Sequence, residues 1–377
     1  MSLGIYLHIP FCSSRCNYCH FVTFPFSKRT VGRYADALCR EIESKGNGGE
    51  RTEVDSIYFG GGTPSLIPAE LIQSAISTIR NVFTVTPDCE ISLEANPETI
   101  TAQKTEAYIR SGVNRVSVGA QSFVGDELRA IARSHDAGAP ARALRLLREA
   151  GFTNLNLDLI LGLPGQTAES WRFTLAKTVE VLPSHVSVYM LDLDDAQAPL
   201  HHAVAAGECS VPDDDAQAEW YLETIELLQR HGIMQYEISN FASTGMVCRH
   251  NLKYWKREPV LGFGAGSHSY DGRVRYANVS GLDRYLELAE QGSPVEWSYP
   301  VDEVSGIEES FFLGLRLNEG VDLESMRNRF GEEKLAAIEN SLAGMLESGL
   351  VERASRFVRL TSRGRLLANE VFAAVLQ

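Results

Sequence analysis

The run Tyr6-Leu-His-Ile-Pro-Phe-Cys12-Ser-Ser-Arg-Cys16-Asn-Tyr-Cys19 decides the reading of this 377-residue chain. A short apolar stretch, Gly4–Ile9, leads straight into three cysteines spaced C-x3-C-x2-C. Three thiolates on one tight loop can hold three irons of a [4Fe–4S] cluster. Most iron–sulfur proteins supply four cysteines, so one iron here is left open to a small chelating molecule. The amino and carboxylate groups of S-adenosylmethionine meet that need.

Plainer readings of the loop compete with this one. A C-x2-C pair is also half of a zinc site, but the remaining cysteines, Cys39, Cys89, Cys209 and Cys248, stand singly. Cys16-Asn17-Tyr18-Cys19-His20 matches covalent c-type haem attachment as well. That chemistry belongs outside the cytoplasm. Only eleven residues precede Cys12, with no basic start and no long apolar run, so no signal peptide is expected. No later stretch is apolar enough to span a bilayer. Seven cysteines without regular pairing fit a reducing cytoplasm. A net charge of −14 argues against a nucleic-acid partner.

Outward from the cysteine loop, β-branched runs alternate with amphipathic stretches. Strands are expected at Gly4–Ile9, Val54–Phe59, Glu90–Ala95, Arg115–Gly119, Asn154–Leu159 and Val186–Leu191, with helical segments between them. Six βα units in a row predict a parallel sheet. A closed eight-stranded barrel needs two more, so an open, partial barrel is expected, with chemistry at the C-terminal ends of its strands. After about residue 200 the alternation stops: Asp213–His231 reads as a helix and Val260–Tyr270 as a glycine-rich apolar stretch. From about residue 303 helices flank two short strands, as in a small winged-helix-like domain. The expected divisions are 1–200, 201–300 and 301–377.

Several residues after the strands carry chemistry. Gly60-Gly61-Gly62-Thr63-Pro64 follows the second strand, where glycines let backbone approach a ligand or simply make a turn. Glu94 ends the third strand, and Asp158 interrupts an apolar run in the fifth. A buried carboxylate needs a partner, whether a ligand group, Arg133 or solvent. Gln121 follows the fourth strand and raises the same question. Arg133 either grips a carboxylate or is an exposed helical side chain. His250-Asn-Leu-Lys-Tyr254-Trp255 places an imidazole among aromatics, which suits haem iron and a porphyrin face, although a lone histidine is more often structural. Cys248 is the rival iron ligand, and His268 reads as a structural hydrogen-bonder in a glycine loop.

The cysteine spacing resembles the radical S-adenosylmethionine superfamily. Tyr6-x-His-Ile-Pro-Phe-Cys, the Gly-Gly-Gly-Thr-Pro turn, Gly119-x-Gln-Ser-Phe and Asp158-Leu-Ile-x-Gly-Leu-Pro-Gly-Gln-Thr167 are similar to the group that holds oxygen-independent coproporphyrinogen III oxidase and the HemW haem chaperones. The resemblance implies an α/β fold: a partial (β/α)6 barrel with a small C-terminal winged-helix-like α+β domain. It implies Cys12, Cys16 and Cys19 as cluster ligands. Tyr6, Tyr18, Gly61, Gly62, Thr63, Glu94, Gln121, Arg133 and Asp158 would line the S-adenosylmethionine pocket, with Tyr18 over the adenine. The oxidase carries a further cysteine two positions after the third, where this chain has Phe21, and a longer N-terminal arm. The H-N-x-x-Y-W run marks the chaperone branch and implies haem binding with His250 as the iron contact. Two functions stay open. One is a cytoplasmic carrier that delivers haem to a recipient protein, with transient contact with membrane proteins and no oxidase activity. The other is a radical enzyme of porphyrin biosynthesis. Asp194-Asp-Ala-Gln-Ala-Pro199 replaces the Glu-x-Gly-Thr turn common in the chaperone branch, which puts the substrate-side loop in question.

Overall fold

A computed structural model describes residues 2–46 and 51–376. Strands β1 (Leu3–Ile9), β2 (Glu53–Gly61), β3 (Thr84–Ala95), β4 (Arg115–Gln121), β5 (Asn154–Leu161) and β6 (His185–Met190) lie side by side and parallel, in chain order. Helices such as Lys28–Ser44, Ala69–Val82 and Ala168–Glu180 carry the chain back between them. Beyond β6 the chain adds β7 (Met234–Glu237) and β8 (Asn240–Ala242), both antiparallel. It then returns to the opposite edge. There β9 (Val260–Phe263) pairs parallel with β1, and β10 (His268–Tyr270), β11 (Val274–Asn278) and β12 (Val295–Pro300) continue antiparallel. The order across the twelve-stranded sheet is β12-β11-β10-β9-β1-β2-β3-β4-β5-β6-β8-β7.

The six expected units are present, and β9 makes a seventh parallel strand that the sequence conceals. Val260-Leu-Gly-Phe is four residues long, and only the seven-residue helix Arg249–Trp255 precedes it. Neither element is long enough for a period to show.

Along most of their length the parallel strands alternate, apart from irregularities such as that between Val54 and Ser56. Ile5, Leu7 and Ile9 of β1, Ile57 and Phe59 of β2, Leu155, Leu157 and Leu159 of β5 pack with helix residues such as Tyr34, Leu38, Ile72 and Ile76 in one core. Burying each such side chain contributes about 1.5–3 kcal/mol. The residues between them face the other way, into the barrel: Tyr6 and His8, Ser56 and Tyr58, Glu94, Ser117, Asn156 and Asp158, His185 and Ser187. They bond across strands, with Asn156 donating to Ser117 Oγ at 2.6 Å and to Ser187 Oγ at 3.0 Å. All-parallel strands are usually apolar on both faces; here the inner face is polar, and every buried polar atom there needs a partner.

The C-terminal unit has a core of its own, with Ile307, Phe311, Leu335, Val358 and Val371 among its buried members. Its sheet holds β13 (Val321–Asp322), β14 (Val351–Ala354) and β15 (Phe357–Leu360) in the order β13-β15-β14. Arg316 joins it to the barrel, with its guanidinium 4.4 Å from the centre of the Trp255 ring.

Candidate functional site

The cysteine loop sits over the C-terminal end of the barrel because two backbone bonds fasten its base to the glycine turn. Gly62 N–H donates to Ile9 O and Thr63 N–H to Phe11 O, both at 2.9 Å. A Cβ on Gly62 would lie 2.9 Å from the Phe11 backbone. Gly61 has φ +111°, and a Cβ there would lie 2.5 Å from the His8 ring. The glycines therefore have a packing reason beside any ligand contact.

Beneath the loop opens a cavity of about 470 Å³. Cys12, Cys16, Cys19 and Tyr18 line it from the loop, Gly61, Gly62 and Thr63 from the turn, and Glu94, Gln121, Arg133 and Asp158 from the following strands and loops. Of the residues expected in the site, Tyr6 and His250 lie outside this lining. Tyr6 is one layer deeper, with its hydroxyl 3.2 Å from His8 Nδ1 and its ring against Tyr58.

Arg133 is held in place. Its Nη2 donates to Asn96 Oδ1 and Gly119 O, each at 2.9 Å, and Nη1 reaches Cys16 Sγ at 3.6 Å. It does not turn to Asp158, whose carboxylate accepts from Ser117 and Asn156, each at 2.8 Å. Asn96 also donates to Thr63 Oγ1 at 3.3 Å, and Thr63 Oγ1 lies 3.5 Å from Cys12 Sγ. One polar chain thus links two of the cysteines through three loops. Gln121 is buried with φ 65°, a left-handed conformation that costs a non-glycine residue about 1 kcal/mol or more.

Burial raises the Cys12 and Cys19 thiols above the ordinary cysteine range. Binding to iron would have to displace their protons, which the Arg133 cation beside Cys16 favours. Among the described residues no three His, Cys, Asp or Glu side chains converge as around a single ion. A four-iron cluster asks less convergence, because each thiolate meets a different corner. Three free thiols, a cation and an open cavity fit such a cluster and a chelating ligand. Glu94 accepts from Tyr58 OH at 2.9 Å and from Gly61 N–H at 3.1 Å. Burial, then the neighbouring Asp158, push its carboxyl up to about 7. Burial likewise raises Asp158. Two carboxyls poised this way gain most from a cationic ligand.

His250 lies at the other end of the barrel, 1% exposed. Its Nδ1 is 3.1 Å from Ser56 Oγ and its Nε2 3.2 Å from Tyr254 OH. Its ring stacks on Tyr58 at 5.2 Å. As folded, neither nitrogen is free for an iron. Cys248 is also buried, with its thiol 3.6 Å from Glu90 Oε1. Glu90 accepts from the backbone N–H groups of Arg249 and His250 at 3.0 and 3.2 Å, which satisfies the start of that helix. The Gly264 loop is a packing device: Tyr34 OH receives the Ala265 N–H, and the buried Glu41 receives that of Gly264, each at 2.9 Å. His268 is exposed, its ring 5.6 Å from that of Trp297.

Sequence reasoning missed Asn96, Ser117, Asn156 and Tyr58. For Ser117, Asn156 and Tyr58 the signal is the period-two recurrence of polar residues inside otherwise apolar strands; Asn96 lies in the loop after β3 and carries no such signal.

The family model of the Radical SAM superfamily matches residues 6–177, and that of the HemN C-terminal domain matches residues 306–367. The chain is 36% identical over 373 residues to the Heme chaperone HemW of Bacillus subtilis, covering 98% of each. It is 33% identical over 296 residues to the Heme chaperone HemW of Escherichia coli, covering 76% of this chain and 77% of the other. Among solved structures, coproporphyrinogen III oxidase (HemN) from Escherichia coli, a radical SAM enzyme, superposes with a TM-score of 0.88 at 25% identity, over 100% of this chain and 90% of that one. Fold, cysteine loop and full-length similarity agree, and the chain belongs to the HemW family of the radical S-adenosylmethionine superfamily.

Proposed function

We propose that this protein binds haem and delivers it to a recipient protein, carrying a [4Fe–4S] cluster on Cys12, Cys16 and Cys19 and S-adenosylmethionine in the cavity below them. The observation that carries the reading is similarity along 98% of the chain to a protein named as a haem chaperone. When bound, the cluster and S-adenosylmethionine supply electron-transfer and radical chemistry. The chain's own residues do the holding. Arg133 presents a fixed cation toward the loop and the ligand carboxylate, Glu94 and Asp158 present carboxyls to its positive groups, and Tyr18 offers a face for the adenine. The cytoplasm suits a chain whose described cysteines are all free thiols. No described helix is long and apolar enough to cross a membrane, so membrane-bound recipients would be met transiently at the surface.

The likeness to coproporphyrinogen III oxidase favours a second reading, the radical enzyme of porphyrin biosynthesis. Against it stands Phe21, in the place of the oxidase's additional cysteine. The test is transfer: anaerobically reconstituted protein loaded with haem is mixed with a haem-free acceptor such as apomyoglobin. The proposal expects the haem spectrum to move to the acceptor. Haem that never binds specifically, or exchanges no faster than free haem, contradicts it.

A further inference from the structure

We propose that the haem iron is taken at the mouth of the cavity by the imidazole of His20. The inference rests on the haem-carrying reading and goes beyond it by naming the iron ligand and the surface around it.

Most of the histidines have a ring nitrogen already engaged. His8 faces Tyr6 OH and Val22 O; His185 faces Asn156 and Tyr236; His250 faces Ser56 and Tyr254. His135 is buried, with Nε2 3.2 Å from Ala120 O. His20 differs from all of these. It is exposed, it lines the cavity directly after Cys19, and its ring has no hydrogen-bond partner among the described residues. Haem iron requires a neutral imidazole with a free nitrogen.

The surroundings suit a flat apolar macrocycle. Phe21 is 55% exposed, with its ring centre 4.9 Å from that of His20. On the far flank of the same mouth, at the end of β6, Met190 is 46% exposed and also lines the cavity. Large apolar side chains left in solvent around a polar cavity mark a ligand surface. A porphyrin would cover both, and the exposed Arg15 on the same rim offers a cation to a propionate. His20 and Phe21, in the loop after β1, and Met190, at the end of β6, line one and the same cavity. Haem seated there would lie over the cluster loop, whereas at His250 it would have to displace the barrel floor.

The test uses the full-length, anaerobically reconstituted protein titrated with haem b, read by visible absorption and electron paramagnetic resonance. His20→Ala should lose the imidazole-ligated spectrum and raise Kd about ten-fold or more, while iron and sulfide content stay at the wild-type level. Added imidazole should restore the spectrum, which a merely structural role would not allow. Phe21→Ser with Met190→Ser should weaken binding several-fold while keeping the ligation signature. The proposal is overturned if His20→Ala keeps both spectrum and affinity, or if His250→Ala or His268→Ala removes the signature instead. Wild-type protein that binds no haem would overturn the haem-carrying reading itself, a different result from an unaffected His20 variant.

Discussion

The two ends of the barrel hold the same kinds of side chain in opposite conditions. At the floor, His250, Ser56, Tyr254, Glu90 and Cys248 satisfy one another and the first amides of a short helix. At the mouth, three thiols, two raised carboxyls, a free imidazole and an exposed phenyl ring face open volume. Both ends are written in the sequence as a histidine among aromatics, His20-Phe21 and His250 to Trp255. What separates them is where the polar groups face: at the floor they are packed against one another and stabilise the fold, and at the mouth they line open volume that a ligand can enter.

The largest contrast should come from the mouth. Cys12→Ala should abolish the visible absorbance of the cluster and most of its iron, about four atoms per chain in the wild type. Cys39→Ala and Cys209→Ala should leave it intact. Equal loss from either remote cysteine would show that the three-ligand loop is the wrong assignment.

At the floor the expected effect is on stability and its pH dependence. Burial, then the cations Lys253 and Arg115, lower His250 from 6.5 to about 3. Its folded pKa lies below its unfolded one, so the unfolded chain takes the proton first as pH falls. Stability from this group is full above about pH 6.5 and is lost on the way down toward 3. Its share of that loss at pH 4 is about 3 kcal/mol. His250→Gln should start less stable at pH 8 and lose less on acidification, measured by urea unfolding at both pH values. Parallel acid curves for the two proteins would place the titration elsewhere.

The mouth should respond to pH in binding rather than stability. Glu94 titrates near 7. If S-adenosylmethionine, a cation at its sulfonium, binds the ionised form, affinity should rise about ten-fold from pH 6 to 8. Calorimetry on Glu94→Gln should give a flat profile. A slope that persists in that variant belongs to another group.

The smallest effect is expected at Gln121. Glycine tolerates its left-handed backbone, so Gln121→Gly should raise stability by about 0.5 kcal/mol while weakening S-adenosylmethionine binding. A fall in the thermal midpoint would mean that the side chain serves packing.

Much of this was legible in the sequence for identifiable reasons. The cysteine spacing, the six strands of four or more patterned residues and the paired C-terminal strands are local signals, and each expected element is present. The Thr63–Asn96–Arg133 chain was not legible, because its members come from three loops more than thirty residues apart. Arg133 follows a six-residue helix, Gly125–Ala130, and its spacing leaves a pocket role and an exposed one equally open; Gly119 and Asn96, which receive it, are distant in sequence. β9 was hidden by its four-residue length, and the sealed state of His250 by partners as distant in sequence as Ser56.

We propose that this radical S-adenosylmethionine fold carries haem and does not make its precursor. One anaerobically reconstituted sample, given reductant and S-adenosylmethionine, should be titrated with haem and assayed on coproporphyrinogen III side by side. The account predicts saturable haem binding and no conversion to protoporphyrinogen IX. Sustained multiple-turnover conversion without specific haem binding would contradict it.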